Sequence, residues 1–382
     1  MLDGVGCGAL PDAAAYGDAG CDTLAHVAGR VALRVPHLRA LGLGRVAAIG
    51  GADPPALAAY GRMAEASAGK DSVTGHWEIA GVVLDRPFPT FPEGFPVSLV
   101  QEFSRRIGRE TLGNVAASGT EILERLGPEH LRTGRPIVYT SADSVFQVAA
   151  HEAVIPVQEL YRICEAAFDL VVRGHGVGRV IARPFVGTPG AFRRTANRHD
   201  FALPPPEDTL LDHLARDGVP VIAIGKVRDL FAGRGVSRAI PTGGDEDGMD
   251  RLLEVLYAGE EGLFFLNLVD FDTVYGHRND PEGYAANLER FDRRLGEVRA
   301  ALGAADLLAI TADHGNDPTT AGTDHTREHV PLLLAGAAVR AGTDLGTRSS
   351  FADLGQTLAG RFGVGPLAHG TSFLEDVLGN DS

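Results

Sequence analysis

The chain has 382 residues, 44% hydrophobic and 22% charged, a composition ordinary for a water-soluble protein with two domains and a large core. Its formal net charge is −15 and it has no basic stretch, which argues against nucleic acid as a partner. No apolar run reaches bilayer-spanning length and nothing resembles a signal peptide, so a cytoplasmic protein without membrane contact is expected; Cys7, Cys21 and Cys164, without metal-like spacing, read as reduced thiols.

The chain opens with Met1-Leu2 and passes directly into Asp3-Gly4-Val5-Gly6. An acidic residue followed by glycines belongs just after a strand, at the carboxyl edge of a sheet, yet almost no strand precedes it here. The apolar run Arg45 to Ile49 predicts the first buried strand. Four prolines between Pro87 and Pro96, and Pro204-Pro205-Pro206 further on, mark stiff crossings. They enclose a domain's worth of mixed helix and strand signals, including strands over Pro136 to Thr140 and Val177 to Ala182. The reading is an inserted α+β cap domain, 87–207, between two halves of a discontinuous core, 1–86 and 208–382.

After the cap, strands and helices alternate. Val219 to Ile224, Leu263 to Val269, Leu307 to Thr311 and Val330 to Leu334 read as strands. Thr209 to Ala215, Asp245 to Tyr257 and Pro281 to Leu302 read as helices, the last with Leu288, Phe291, Leu295, Val298 and Leu302 on one stripe and its proline harmlessly at the start. This alternation predicts an α/β core with a mostly parallel sheet sandwiched by helices.

Chemistry-bearing residues gather at strand ends. The run Leu307 to Thr311 stops at Asp313-His314-Gly315-Asn316, with Asp324, His325 and His329 shortly after. The run Leu263 to Val269 stops at Asp270-Phe271-Asp272-Thr273-Val274-Tyr275-Gly276-His277. Parallel strands bring their carboxyl ends to one edge, so Asp3, Asp272, His277, Asp313, His314 and His325 are expected to converge. Three carboxylates and three imidazoles suffice for two divalent cations. Mixed oxygen and nitrogen donors without thiolate fit manganese, zinc or magnesium. Earlier, Gly69 through Glu78 holds Lys70, Ser72, Thr74, His76 and the only tryptophan. Ser72 is a plausible nucleophile beside a metal, Thr74 is its rival, and a polar turn capping a helix is the plainer alternative.

Only two of the 35 basic residues are lysines, Lys70 and Lys226. A compact ammonium differs from a wide planar guanidinium, so one reading is that both sites reject arginine; the other is that these two lysines persisted by chance.

Taken together, these segments resemble bacterial phosphopentomutases of the alkaline-phosphatase superfamily, over nearly the full length. The resemblance rests on Asp3-Gly4-Val5-Gly6 with Pro11-Asp12-Ala13, Gly69 through Glu78, Asp270 through His277, and Thr311 through His314 with Thr323 through Glu328. Its most specific part lies in the cap: Ala117-Ser118-Gly119-Thr120, Tyr139-Thr140-Ser141-Ala142-Asp143-Ser144 with His151-Glu152, Ala182-Arg183-Pro184-Phe185 and Asn197-Arg198-His199-Asp200. It implies an alkaline-phosphatase-like core holding two Mn2+ (Mg2+, Co2+ or Zn2+ as alternatives), with Asp3, Asp313 and His314 on one ion and Asp272, His277 and His325 on the other. Ser72 matches the phosphorylated residue, usually threonine in that family, with Lys70 beside it. Arg183, Arg198 and Lys226 match substrate-phosphate contacts and Asp143 a residue facing the ribose.

The implied reaction interconverts ribose 1-phosphate and ribose 5-phosphate, and the 2-deoxyribose equivalents. It runs through a phosphoserine and a bisphosphate intermediate, primed by a sugar bisphosphate activator. Pentose phosphates are the partners expected, with no obligate protein partner. A cofactor-independent phosphoglycerate mutase shares the core but not the cap segments; a phosphatase or phosphodiesterase would hydrolyse; a non-catalytic sugar-phosphate binder is the alternative outside enzymes. The resemblance also implies a core strand before Asp3. Its absence leads to the expectation that the natural gene starts upstream of Met1, and that a chain beginning at Met1 would leave sheet edges unpaired, unseat a metal ligand, and show weak metal binding and poor stability.

Overall fold

The computed structural model describes residues 1–141 and 144–378. The chain forms two compact units, Met1–Pro87 with Pro205–Ser382, and Phe88–Pro204.

In the first unit the run Arg45 to Ile49 is not a strand. Gly42, in the left-handed region at φ 105°, ends one short helix, Pro36–Leu41, and starts another, Leu43–Val46. Ala47 then donates to the Leu43 carbonyl at 3.0 Å, so the backbone groups are satisfied locally. Ala47 and Ile49 still bury their side chains, which is why the run carries a strand-like pattern. The sheet position goes to β1 (Ala59–Met63), whose composition gave no apolar alternation.

The second unit carries β2 (Leu112–Ala116), β3 (Ile137–Thr140), β4 (Val145–His151), β5 (Arg179–Val186), β6 (Arg193–Arg194) and β7 (His199–Ala202). The strand order is β2-β3-β4-β5-β6, with β7 also paired to β5. On one face Val138, Phe146, Val148, Val180 and Ala182 join a core with Leu99 and Phe103 of helix Val97–Ile107 and Leu160 and Ile163 of helix Val157–Ala167. On the other, Tyr139, Ala149 and Phe185 pack with Ile122 and Leu123 of helix Gly119–Thr133. That second face also holds polar side chains, with Arg183 Nε donating to Gln147 Oε1 at 3.0 Å.

The first unit resumes with β8 (Val221–Ile224), β9 (Arg238–Ile240), β10 (Leu263–Leu266), β11 (Leu308–Ile310), β12 (Val330–Ala335) and β13 (Asp344–Arg348). β10-β8-β9 is wholly parallel. β11-β12-β1-β13 is mixed: β12 runs antiparallel to both β11 and β1, and β1 is parallel to β13. The expected mostly parallel sheet is thus corrected in this half. No helix connects β11 to β12, and without a crossover the chain returns antiparallel. The helices form largely as read. Thr209 caps helix Leu210–Arg216 in a reciprocal capping box with Asp212, and Pro281 sits in the first turn of helix Pro281–Ala301.

Met1 to Asp3 run between the two sheets. Leu2 N donates to Thr311 O at 2.8 Å, Asp3 N to Leu268 O at 3.0 Å, and Leu268 N to Met1 O at 3.0 Å. Asp3 is therefore seated, contrary to the expected loss of a ligand. Next to this link lies an apolar cavity of about 400 Å3, lined by Met1, Leu263, Phe265, Leu266, Leu308 and Ile310 among others.

Candidate metal centre and nucleophile

The donors collect where β10 and β11 end. Asp3 follows Leu2 between them, Asp272 lies in the turn after β10, and Asp313 and His314 lie just past β11. Asp3, Asp313 and His314 form one buried group whose ligand atoms lie within 4.8 Å of one another; Asp272, His314 and His325 form another. His314 Nε2 is 3.4 Å from Asp3 Oδ1 and 3.6 Å from Asp313 Oδ2. Asp272 faces His325 Nε2 at 3.3 Å and His277 Nε2 at 3.2 Å. The imidazoles of His314 and His325 lie 4.0 Å apart by ring centre, and those of His277 and His325 4.8 Å. All six predicted donors meet, with His314 between the two groups.

Fixed neighbours orient these side chains. Asn267 Nδ2 donates to Asp3 Oδ2 at 3.0 Å, Asn316 Nδ2 to Asp272 Oδ1 at 2.7 Å, and Gly4 N to Asp313 Oδ1 at 3.2 Å. The His277 and His314 Nδ1 atoms face the carbonyls of Thr323 and Gly315, which leaves each Nε2 pointing inward. Asp3 Oδ1, Asp313 Oδ2 and His325 Nε2 are buried and make no well-aligned hydrogen bond, although His314, His76 and Asp272 face them at 3.4, 3.1 and 3.3 Å. Buried polar atoms of this kind are costly, and inward-facing oxygen and nitrogen donors fit a divalent cation.

The electrostatics agree. Burial opposes the charge on Asp272, yet the His325 and His277 imidazoles outweigh it and hold the carboxyl well below its ordinary value. Burial likewise opposes Asp313, but His314 and His76 bring it down to about 2. Burial disfavours charge on His314, and Asp313 and Asp3 overcome this to raise it well above the usual imidazole range. The pocket is thus built to hold positive charge among carboxylates.

Ser72 is the first residue of helix Ser72–Ile79. Asp71 caps that helix, accepting from Val73 N and Thr74 N at 3.1 Å each. Ser72 Oγ lies 3.1 Å from His314 Nε2. Thr74, its rival, is buried and donates its hydroxyl to Asp71 Oδ2 at 2.6 Å. The helix approaches closely because Gly75 lacks a side chain: a Cβ there would collide with the Asp313 carbonyl. Lys70 Nζ pairs with Asp18 at 3.0 Å and Asp324 at 3.4 Å, beside the nucleophile segment.

The remaining predicted residues are not among these donors. Asp143 falls outside the described residues. Lys226 is exposed just past β8, at the same carboxyl edge of the sheet as β10's end. Arg183 stands on β5 of the second unit, and Arg198 lies just before β7. Burial, then repulsion from Arg198, brings Arg183 down to about 10, and Arg198 makes two 2.6 Å bonds to Asp200. Sequence reasoning assigned no role to Asn267, Asn316, His76 or Arg327. Asn316 was within the quoted Asp313 motif; the contacts of the others join distant segments that no spacing reveals.

The whole of residues 1–366 matches the metalloenzyme superfamily model. Proteins named phosphopentomutase from Caldanaerobacter subterraneus, Desulfitobacterium hafniense and Anaeromyxobacter dehalogenans are 54%, 55% and 56% identical, each over 99% of this chain and 96–98% of their own length. The chain belongs to the phosphopentomutase family. It is accordingly an isomerase of the metalloenzyme superfamily. The structure of the PH0037 protein from Pyrococcus horikoshii shares the fold, with a TM-score of 0.52 at 17% identity over 95% of this chain and 96% of that one.

Proposed function

We propose that this chain interconverts ribose 1-phosphate and ribose 5-phosphate, and their 2-deoxyribose equivalents, through a phosphoserine at Ser72 and a sugar bisphosphate intermediate. The observation carrying this is the Ser72 hydroxyl, 3.1 Å from His314 Nε2 at the meeting of two buried donor groups. Family membership supports the reaction; the geometry supports Ser72 over Thr74.

Asp3, Asp313 and His314 would hold one divalent cation and Asp272, His277 and His325 a second, manganese first and magnesium, cobalt or zinc as alternatives. When bound, such ions neutralise phosphoryl oxygens and lower the pKa of the serine hydroxyl. The chain's own residues do the positioning. The Asp71 cap fixes the first turn of the helix, whose N-terminal dipole favours a phosphate on Ser72. The phosphoryl group passes from Ser72 Oγ to the free sugar hydroxyl. The Ser72 O–P bond breaks, a sugar O–P bond forms, and the proton lost by the sugar hydroxyl is balanced by the one that the freed Ser72 Oγ takes up. The bisphosphate then returns its other phosphate to Ser72 by the reverse step. A trace of sugar bisphosphate primes the cycle. Arg183, Arg198 and Lys226 supply cationic contacts to substrate phosphate, and Asp143 a contact to the ribose.

The test is a coupled assay of ribose 1-phosphate conversion with manganese and a bisphosphate activator. Ser72→Ala should lose roughly 10^4-fold or more in turnover, while Ser72→Thr, which keeps the hydroxyl, retains measurable activity. Full activity in Ser72→Ala would remove the proposal.

A further inference from the structure

Arg327 follows His325 by two positions and is buried, with its side chain only 3% exposed. Its guanidinium reaches two stretches of chain, 65–69 and 12–16. Nη1 donates to Glu65 Oε2 at 2.8 Å, Ser67 O at 2.8 Å and Gly69 O at 2.6 Å. Nη2 donates to Glu65 O at 3.0 Å and Asp12 Oδ2 at 3.1 Å, and Nε to Asp12 Oδ1 at 3.3 Å. Its flat face lies 4.8 Å over the Tyr16 ring. The backbone joins in: Arg327 N donates to Asp18 Oδ2 at 2.9 Å, the same carboxylate that receives Lys70 Nζ.

All five N–H groups of the guanidinium are engaged, and three of their acceptors are carbonyls of the short loop that leads into Lys70 and Ser72. A buried ion pair such as Arg327 with Glu65 adds little net stability against a well-packed apolar pair. What the arrangement uniquely supplies is geometry. A rigid planar fork ties the 65–69 loop to the segment that carries His325.

We propose that Arg327 is a positioning residue for phosphoryl transfer: by clamping the Glu65, Ser67 and Gly69 carbonyls, it sets the register of the Ser72 hydroxyl against the His314 and His325 side of the site. This rests on Ser72 being the phosphorylated residue. An ammonium cannot replace the clamp, because its three donors on a flexible stem do not span the loop and Asp12 together.

Two variants test it: Arg327→Lys, and the double variant Arg327→Met with Glu65→Gln, which removes the charge that loss of the arginine would strand. Both are assayed at a temperature where circular dichroism shows them fully folded, and manganese affinity is measured by titration. The expected result is a fall in kcat of roughly a hundredfold, the scale of a misplaced reacting group, with KM and manganese affinity close to those of the unaltered chain. A double variant that is folded, binds manganese normally and turns over at the unaltered rate would overturn the proposal. So would a loss confined to manganese affinity. Mapping phosphoserine in the unaltered chain separates this from the underlying reading: absence of phosphate on Ser72 defeats that reading, whereas phosphate on Ser72 with full kcat in the double variant defeats the clamp alone.

Discussion

Asp245 shows how a single buried acid shapes the pH response. Its carboxylate accepts from Asp270 N at 2.9 Å and Asn287 Nδ2 at 2.7 Å, yet burial, aided by Asp270 and Asp3, raises it to about 6 from an ordinary 3.8. The folded state therefore binds this proton more tightly than the unfolded state. Its contribution favours folding at low pH and is lost as pH rises from about 4 through about 6, a change on the order of 3 kcal/mol. Asp245→Asn removes the titration. Melting temperatures of the two proteins across pH 4–8 should diverge in favour of the variant as pH rises; parallel profiles would contradict this. Lys70 and Lys226 offer a sharper residue-level test. If each site rejects a guanidinium, Lys70→Arg and Lys226→Arg should both lower turnover, and normal turnover in both would end that idea.

At the scale of the element, helix Ser72–Ile79 depends on the bare backbone of Gly75 against Asp313. Gly75→Ala must push the helix outward. The expected outcome is destabilisation of about 1–3 kcal/mol and a large fall in kcat, read by thermal melting and the coupled assay together. Strands buried on both faces were legible in sequence because their apolar runs are continuous, as in β8 and β12. β1 and β13 were not, since Ala-Tyr-Gly-Arg-Met and Asp-Leu-Gly-Thr-Arg carry no run to read. Arg45 to Ile49 misled because a helical turn followed by extended chain buries alternate residues with no partner strand. The site was legible where donors cluster at strand ends, at Asp313-His314 and Asp272 through His277. The shell that orients them was not, because Asn267 meets Asp3, and Arg327 meets Glu65, across hundreds of residues.

For the molecule as a whole, cations that bind only the folded donor groups must stabilise it. Chelation should lower the melting temperature, and manganese at about 100 times its Kd should restore about 2.7 kcal/mol. An unchanged melting temperature would argue that the donors do not hold metal. The most direct single measurement is peptide mass spectrometry after incubation with manganese and ribose 1,5-bisphosphate, followed by addition of ribose 5-phosphate. Phosphate located on Ser72, then passed to the sugar without release of inorganic phosphate, is the expected result. Phosphate on Thr74, on no residue, or lost to water would contradict it.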